Sequence, residues 1–128
     1  MNNTHSTPGL SGYDPVAYHT EGMPVKGSGY HVAEHEGVTY LFANKKNRKK
    51  FEADPRKYLP AYGGFCAYGV SLGKKFASDP EVWRIENGKL FLNLDGDIQR
   101  KWEKDLSGHI RKADVNWPGI EEKAPAEL

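Results

Sequence analysis

Gly37-Val38-Thr39-Tyr40-Leu41-Phe42, followed by Asn44 and then Phe51-Glu52-Ala53-Asp54-Pro55-Arg56-Lys57-Tyr58-Leu59, returns in altered form as Gly88-Lys89-Leu90-Phe91-Leu92-Asn93, Asp95 and Trp102-Glu103-Lys104-Asp105-Leu106-Ser107-Gly108-His109-Ile110. The offset is a constant 51 residues, Gly37 to Gly88 and Tyr40 to Phe91, with no gap. Like residues meet at a turn, a strand, a helix face and a cap together, which marks a repeated supersecondary unit. In the first copy, Tyr30–His35 and Val38–Phe42 are β-prone runs around Glu36-Gly37, a hairpin signal. Asn44 is placed to cap a helix from Lys45 to Ala53 with Phe51 on its buried face. Asp54 and Pro55 then stop that helix and open a short one through Leu59. In the second copy the hairpin turns at Asn87-Gly88. Asp95 caps a helix to Lys104, and Asp105 opens a last helix reaching Val115.

The expected fold class is therefore α+β: two pseudo-repeated hairpin-plus-helix units packed around a shared core. One such unit has a single apolar face and cannot bury it alone. The units are expected at 13–59 and 82–115, within a single domain at 12–118. A Gly/aromatic linker, 60–81, joins them. A polar arm at 1–11 and a loose tail at 119–128 flank the domain.

The chain has 128 residues, enough for one domain that needs no disulfide or metal merely to hold a core. Its 18 basic and 17 acidic residues leave a net charge of +1, which gives no global field toward nucleic acid, and no nucleic-acid partner is expected. The basic run Lys45, Lys46, Arg48, Lys49 and Lys50 reads as a solvated face, offset by Glu52 and Asp54. No apolar run approaches the ~20 residues of a membrane span, so no membrane insertion is expected. The start has neither a basic n-region nor an apolar h-region, so the expected compartment is the cytoplasm, with export after leader removal as the alternative.

Chemistry gathers around one thiol. The linker reads Tyr62-Gly63-Gly64-Phe65-Cys66-Ala67-Tyr68, and Cys66 is the only cysteine. A helix beginning at Gly63 or Gly64 would put Cys66 in its first turn, where free N–H groups and the helix dipole favour thiolate. A thiolate is both a nucleophile and a soft metal ligand. Free cysteine also packs as a small buried hydrophobe. Tyr62, Phe65 and Tyr68, with Tyr13, Asp14 and Tyr18 from Gly12-Tyr13-Asp14-Pro15-Val16-Ala17-Tyr18-His19, are the expected lining of a ligand site. Asp14 before Pro15 reads first as a turn builder, through hydrogen bonds to backbone N–H groups. His31 and His35 share a strand face but stand about 13 Å apart, too far for one ion. His35 is the preferred metal partner of Cys66. No H-x-x-x-H on a helix and no C-x-x-C, dinucleotide or P-loop pattern is present.

Asp14-Pro15-Val16, Gly37 to Phe42 and Phe51 to Leu59 together resemble a YHS domain, whose pattern is D-P-V-C-G-M, G-x-x-Y-x-F-C-S-x-x-C and F-x-x-D-P-x-x-Y-L. The resemblance covers residues 13–59. The stretch Tyr62 to Tyr68 and the C-terminal half look like the larger bacterial proteins that carry this domain. The resemblance implies soft-metal binding, copper above all, through cysteines. The chain departs at those positions: Ala17, Tyr18 and His19 replace Cys-Gly-Met, and Ala43 and Asn47 replace the strand-end cysteines. Three readings stay open. One is a module for a soft metal ion or other small ligand at Cys66. Another is a ligand- or protein-interaction domain with Cys66 structural. The last is a thiol redox protein or enzyme, for which no base partner is visible. A binding module rather than an enzyme is expected.

Overall fold

The structure, a computed structural model, describes residues 8–128. The part of the expected N-terminal arm before residue 8, His5 included, lies outside the described residues. The protein is mixed helix and sheet, as the α+β reading requires. Its elements are α1 (Ala17–Thr20), β1 (Ser28–His35), β2 (Val38–Phe42), α2 (Lys45–Ala53), α3 (Pro55–Tyr58), α4 (Ala67–Ser71), β3 (Asp79–Glu86), β4 (Lys89–Asn93), α5 (Gly96–Lys104) and α6 (Leu106–Ile120). Short 3-10 turns occupy Gly9–Gly12, Ala61–Gly64 and Pro125–Glu127. β1 pairs with β2 and β3 with β4, giving two separate two-stranded sheets. Among the described residues no helix is long and apolar enough to cross a membrane.

Local chemistry explains most of these elements. Both hairpin turns place two successive residues at positive φ, Glu36 and Gly37 at 50° and 82°, and Asn87 and Gly88 at 52° and 78°. That is the type I′ geometry whose twist matches paired strands. In the first hairpin Ala33 stands opposite Tyr40 and His35 opposite Val38. Asn44 caps α2 by accepting a 2.8 Å bond from the Asn47 N–H, and Asp95 caps α5 by accepting one of 2.8 Å from the Ile98 N–H. Asp105 does the same for α6, at the Gly108 N–H, whereas Asp54 flanks α3 with no side-chain cap bond. Pro55 supplies the start of α3 instead, its φ already fixed for a first helical position.

The chain divides into two compact units: one runs to Leu59 and includes Asn87–Leu90, the other comprises Pro60–Glu86 and Phe91–Leu128. Two clusters of buried apolar side chains stand out, one within each unit. The first holds Val16, Ala33, Tyr40, Phe42, Phe51 and Tyr58. The second holds Tyr62, Ala67, Val70, Phe91, Trp102 and Ala113, with Trp117 packed on it. A short helix ahead of each hairpin supplies the missing apolar cover, Val16 beside α1 and Ala67 and Val70 in α4.

The repeat thus reaches into the stretch expected as a linker. Leu10, Ser11 and Gly12 have φ of 57°, 53° and 89°, and Tyr62, Gly63 and Gly64 have 56°, 61° and 86°. Tyr13 N–H donates to the Leu10 carbonyl at 3.0 Å, and Phe65 N–H donates to the Tyr62 carbonyl at 3.0 Å. Each unit is therefore a left-handed turn, a short helix, a hairpin and two helices.

Candidate functional site

Two buried polar groups sit at matching places in the two units, just after the left-handed turn and just before the short helix. In the first unit this is Asp14, which has no exposed surface. Its Oδ1 accepts from the N–H groups of Val16 (2.8 Å) and Ala17 (3.3 Å), at the start of α1. Its Oδ2 accepts from the Ala43 N–H (2.9 Å) and the Asn47 side-chain amide (2.8 Å), at the corner between β2 and α2. One carboxylate therefore pins the Asp-Pro turn to the helix that follows the hairpin. Four donors saturate its lone pairs, the condition under which a buried charge is tolerated.

In the second unit the matching residue is Cys66, also without exposed surface and free of any disulfide. It does not stand inside a first turn: it is the flanking residue of α4, a helix of five residues. Its sulfur lies 3.4 Å from Asn93 Oδ1, and that oxygen also accepts from the Tyr68 N–H at 3.0 Å. The contact uses the thiol as donor, since a thiolate has no proton to give to an amide oxygen. Asn93, fully buried at the end of β4, does for α4 what Asp14 does for α1. Its other atom, Nδ2, is buried with no hydrogen-bond partner among the described residues.

The remaining sequence-selected residues distribute as follows. Tyr13, half-buried, forms an isolated bridge with Lys26, and Tyr18 is buried in the first unit. Tyr62 packs on Phe91 and Trp117 and donates its hydroxyl to Asp114 Oδ1 at 2.8 Å. Burial, then the hydrogen bond and negative charge of Asp114, push the Tyr62 phenol well above its ordinary value of 10.0. Phe65 lies against Trp117, and Tyr68 meets His109 edge-on. His35 belongs to the first unit, its Nε2 3.1 Å from the Glu36 carboxylate and its ring edge-on to Phe51. Nowhere among the described residues do three or more His, Cys, Asp or Glu side chains gather as a metal site would need.

Several residues that sequence reasoning passed over carry these arrangements. Asn93 occupies the repeat slot of buried Phe42, and a polar residue in an apolar slot was the signal that could have found it. Asn47 and Asp114 gave no such signal. Lys75, only 8 % exposed, donates its ammonium to the Glu121 and Lys123 carbonyls at 2.7 and 2.6 Å and lies 5.2 Å from the ring centres of both Phe65 and Trp117. His19 meets Tyr58 edge-on, and its Nε2 is buried without a hydrogen-bond partner among the described residues.

The resemblance expects thiolates at positions 17, 43 and 47. The structure brings those positions together, since the Ala17 N–H, the Ala43 N–H and the Asn47 amide all bind the one Asp14 carboxylate. No sulfur stands there, and every lone pair of the nearest hard donor is committed. This donor set does not fit a soft metal ion. No curated protein and no solved structure matches the chain. A family model does: that of the YHS domain matches residues 16–62, which span α1, the first hairpin, α2 and α3.

Proposed function

We propose that this protein is a non-enzymatic interaction module in which Cys66 is a packing residue and Asp14 a structural pin. The carrying observation is that both groups are buried and spent on internal hydrogen bonds, Asp14 on four donors and Cys66 on Asn93. A reactive thiol needs access and an electropositive setting. Cys66 instead has no exposed surface and an oxygen acceptor. Native protein treated with a thiol-labelling reagent should react many-fold more slowly than urea-unfolded protein. Cys66→Ala should leave the secondary structure intact. Labelling of the folded protein at the rate of a free thiol would overturn the reading.

The YHS match at residues 16–62 favours a second reading, soft-metal binding, for which Cys66, outside the matched residues, is the chain's one thiol. Titration with Cu(I) against a competing chelator separates the two. Tight binding that disappears in Cys66→Ser supports the metal module. Absence of Cys66-dependent binding supports the interaction module.

A further inference from the structure

Because the two units share one backbone plan, each is a control for the other. Positions that the plan requires agree across the copies: the caps Asn44 and Asp95, and the buried Phe51 and Trp102. Charge on the helix after the hairpin does not agree. α5 begins Gly96-Asp97, with the acid near the positive end of the helix dipole, and Arg100 pairs with Asp97. α2 begins Lys45-Lys46 and has no acid in its first turn. Lys45 and Lys49, and Lys46 and Lys50, are like charges one turn apart. Its ion pair is Arg48 with Glu52, and the four lysines have no acidic partner within 4.0 Å among the described residues. Arg56 and Lys57 of α3 add two more exposed cations just downstream. The net charge of +1 hides this concentration. The shared plan does not require it, since α5 folds with an acid at its start and with Asp97 and Glu103 offsetting Arg100, Lys101 and Lys104. Lys45 and Lys46 oppose the dipole of their own helix, and residues that break a local rule concentrate at functional sites.

Resting on the interaction-module reading, we infer that the outward face of α2 binds the phosphate backbone of nucleic acid without reading sequence. Lys45, Lys46 and Lys49 are exposed, whereas the apolar side of the helix, Phe51, is buried in the core. The outward face thus carries no large apolar residue. A protein partner wants an anchor side chain in a pocket, and a polybasic patch holds stably to an anionic membrane only beside a second signal such as a lipid chain or an inserted apolar face. A polyphosphate backbone needs neither, because counterion release drives the association. A duplex offers about one negative charge per 1.7 Å of axis, so a nine-residue helix about 13 Å long faces several phosphates.

The test is fluorescence anisotropy of a labelled duplex of about 20 base pairs, titrated with the full chain at about 20 and 200 mM salt. Expected is binding at low salt that weakens with a log–log slope near −3, from about three released contacts, and that is equal for two unrelated sequences. Lys45→Glu/Lys46→Glu/Lys49→Glu should weaken it at least tenfold with an unchanged or higher melting temperature. Arg100→Glu in the sibling helix should leave it unchanged. No binding at low salt, equal binding by the triple variant with its fold intact, or tighter capture by polyglutamate or phosphatidylserine vesicles than by the duplex would each overturn the proposal. None of these outcomes bears on Cys66, so this inference and the reading beneath it fail separately.

Discussion

Asp14 shows how much one side chain can hold. Its carboxylate ties α1, the end of β2 and the start of α2 through four accepted hydrogen bonds. Asp14→Asn keeps the shape but turns one acceptor into a donor facing N–H groups. Hydrogen bonds to a charged group contribute about 1.5–3 kcal/mol each. The variant should lose about 2–4 kcal/mol in urea denaturation, measured with the slope of the transition unchanged. His19 makes a pH-dependent contribution. Burial lowers its pKa below the ordinary 6.5, a backbone bond at Tyr58 opposes this in part, and the charge of Lys57 lowers it further. The folded state therefore holds this proton less tightly than the unfolded chain does, so stability rises with pH across that interval. Its contribution is complete above pH 6.5 and is lost as pH falls from there through the folded value. Melting temperatures of the native chain and His19→Gln, compared between pH 7.5 and pH 5, should converge or cross as the solution is acidified. A constant difference would show that His19 does not titrate with folding. The turn-building role of Asp14 was legible because Asp before Pro is a local signal. The bond from the Tyr68 N–H in α4 to Asn93 in β4 was not, since the two are neighbours only after β4 has paired and α4 has docked.

At the scale of elements, the sequence reading and the structure agree at most local determinants, though not at the cap bond expected of Asp54. Glu36-Gly37 and Asn87-Gly88 form turns, and Asn44, Asp95 and Asp105 cap helices as their spacing indicates. α6 is the instructive exception. The sequence reading ends the last helix at Val115, yet the helix continues through Pro118 to Ile120. Asn116 donates its amide to the Val70 and Ser71 carbonyls at 3.0 and 3.2 Å, and Trp117 packs on Tyr62 and Phe65. Tertiary contacts of this kind routinely override helix propensity. The comparison of copies also exposes a weak point. Glu36 adopts a left-handed conformation that its sibling fills with asparagine, a residue that tolerates it better. Glu36→Asn should therefore stabilise the protein by about 0.5–1 kcal/mol, read as a higher denaturation midpoint. A lower midpoint would show that the contact between Glu36 and His35 outweighs the backbone strain.

For the whole molecule, the alignment of the two halves correctly announced a duplicated plan but placed the start of the second copy too late. Leu10-Ser11-Gly12 and Tyr62-Gly63-Gly64 share a backbone path and their final glycine at an offset of 52, so the alignment at the constant offset of 51 did not link them. The same gap hid the equivalence of Asp14 and Cys66. One copy uses an acid where the other divides the work between a thiol and an amide. The short opening helix, or the residue flanking it, contributes to the apolar cluster of each unit. A chain of this size can support both, since its buried fraction already approaches that of ordinary domains.

Lys75 turns the end of the chain into a clasp. Its ammonium rests between two rings and grips carbonyls of Glu121 and Lys123, so the final segment is fastened from within the second unit. Cutting the chain after Ile120 would strand that cation on aromatic faces with its oxygen partners gone, a loss of about 2 kcal/mol. Adding Lys75→Met to the shortened protein should recover part of the loss in thermal melts, because the orphaned charge leaves with the residue. Equal melting of the full and clipped forms would mean that the clasp holds nothing.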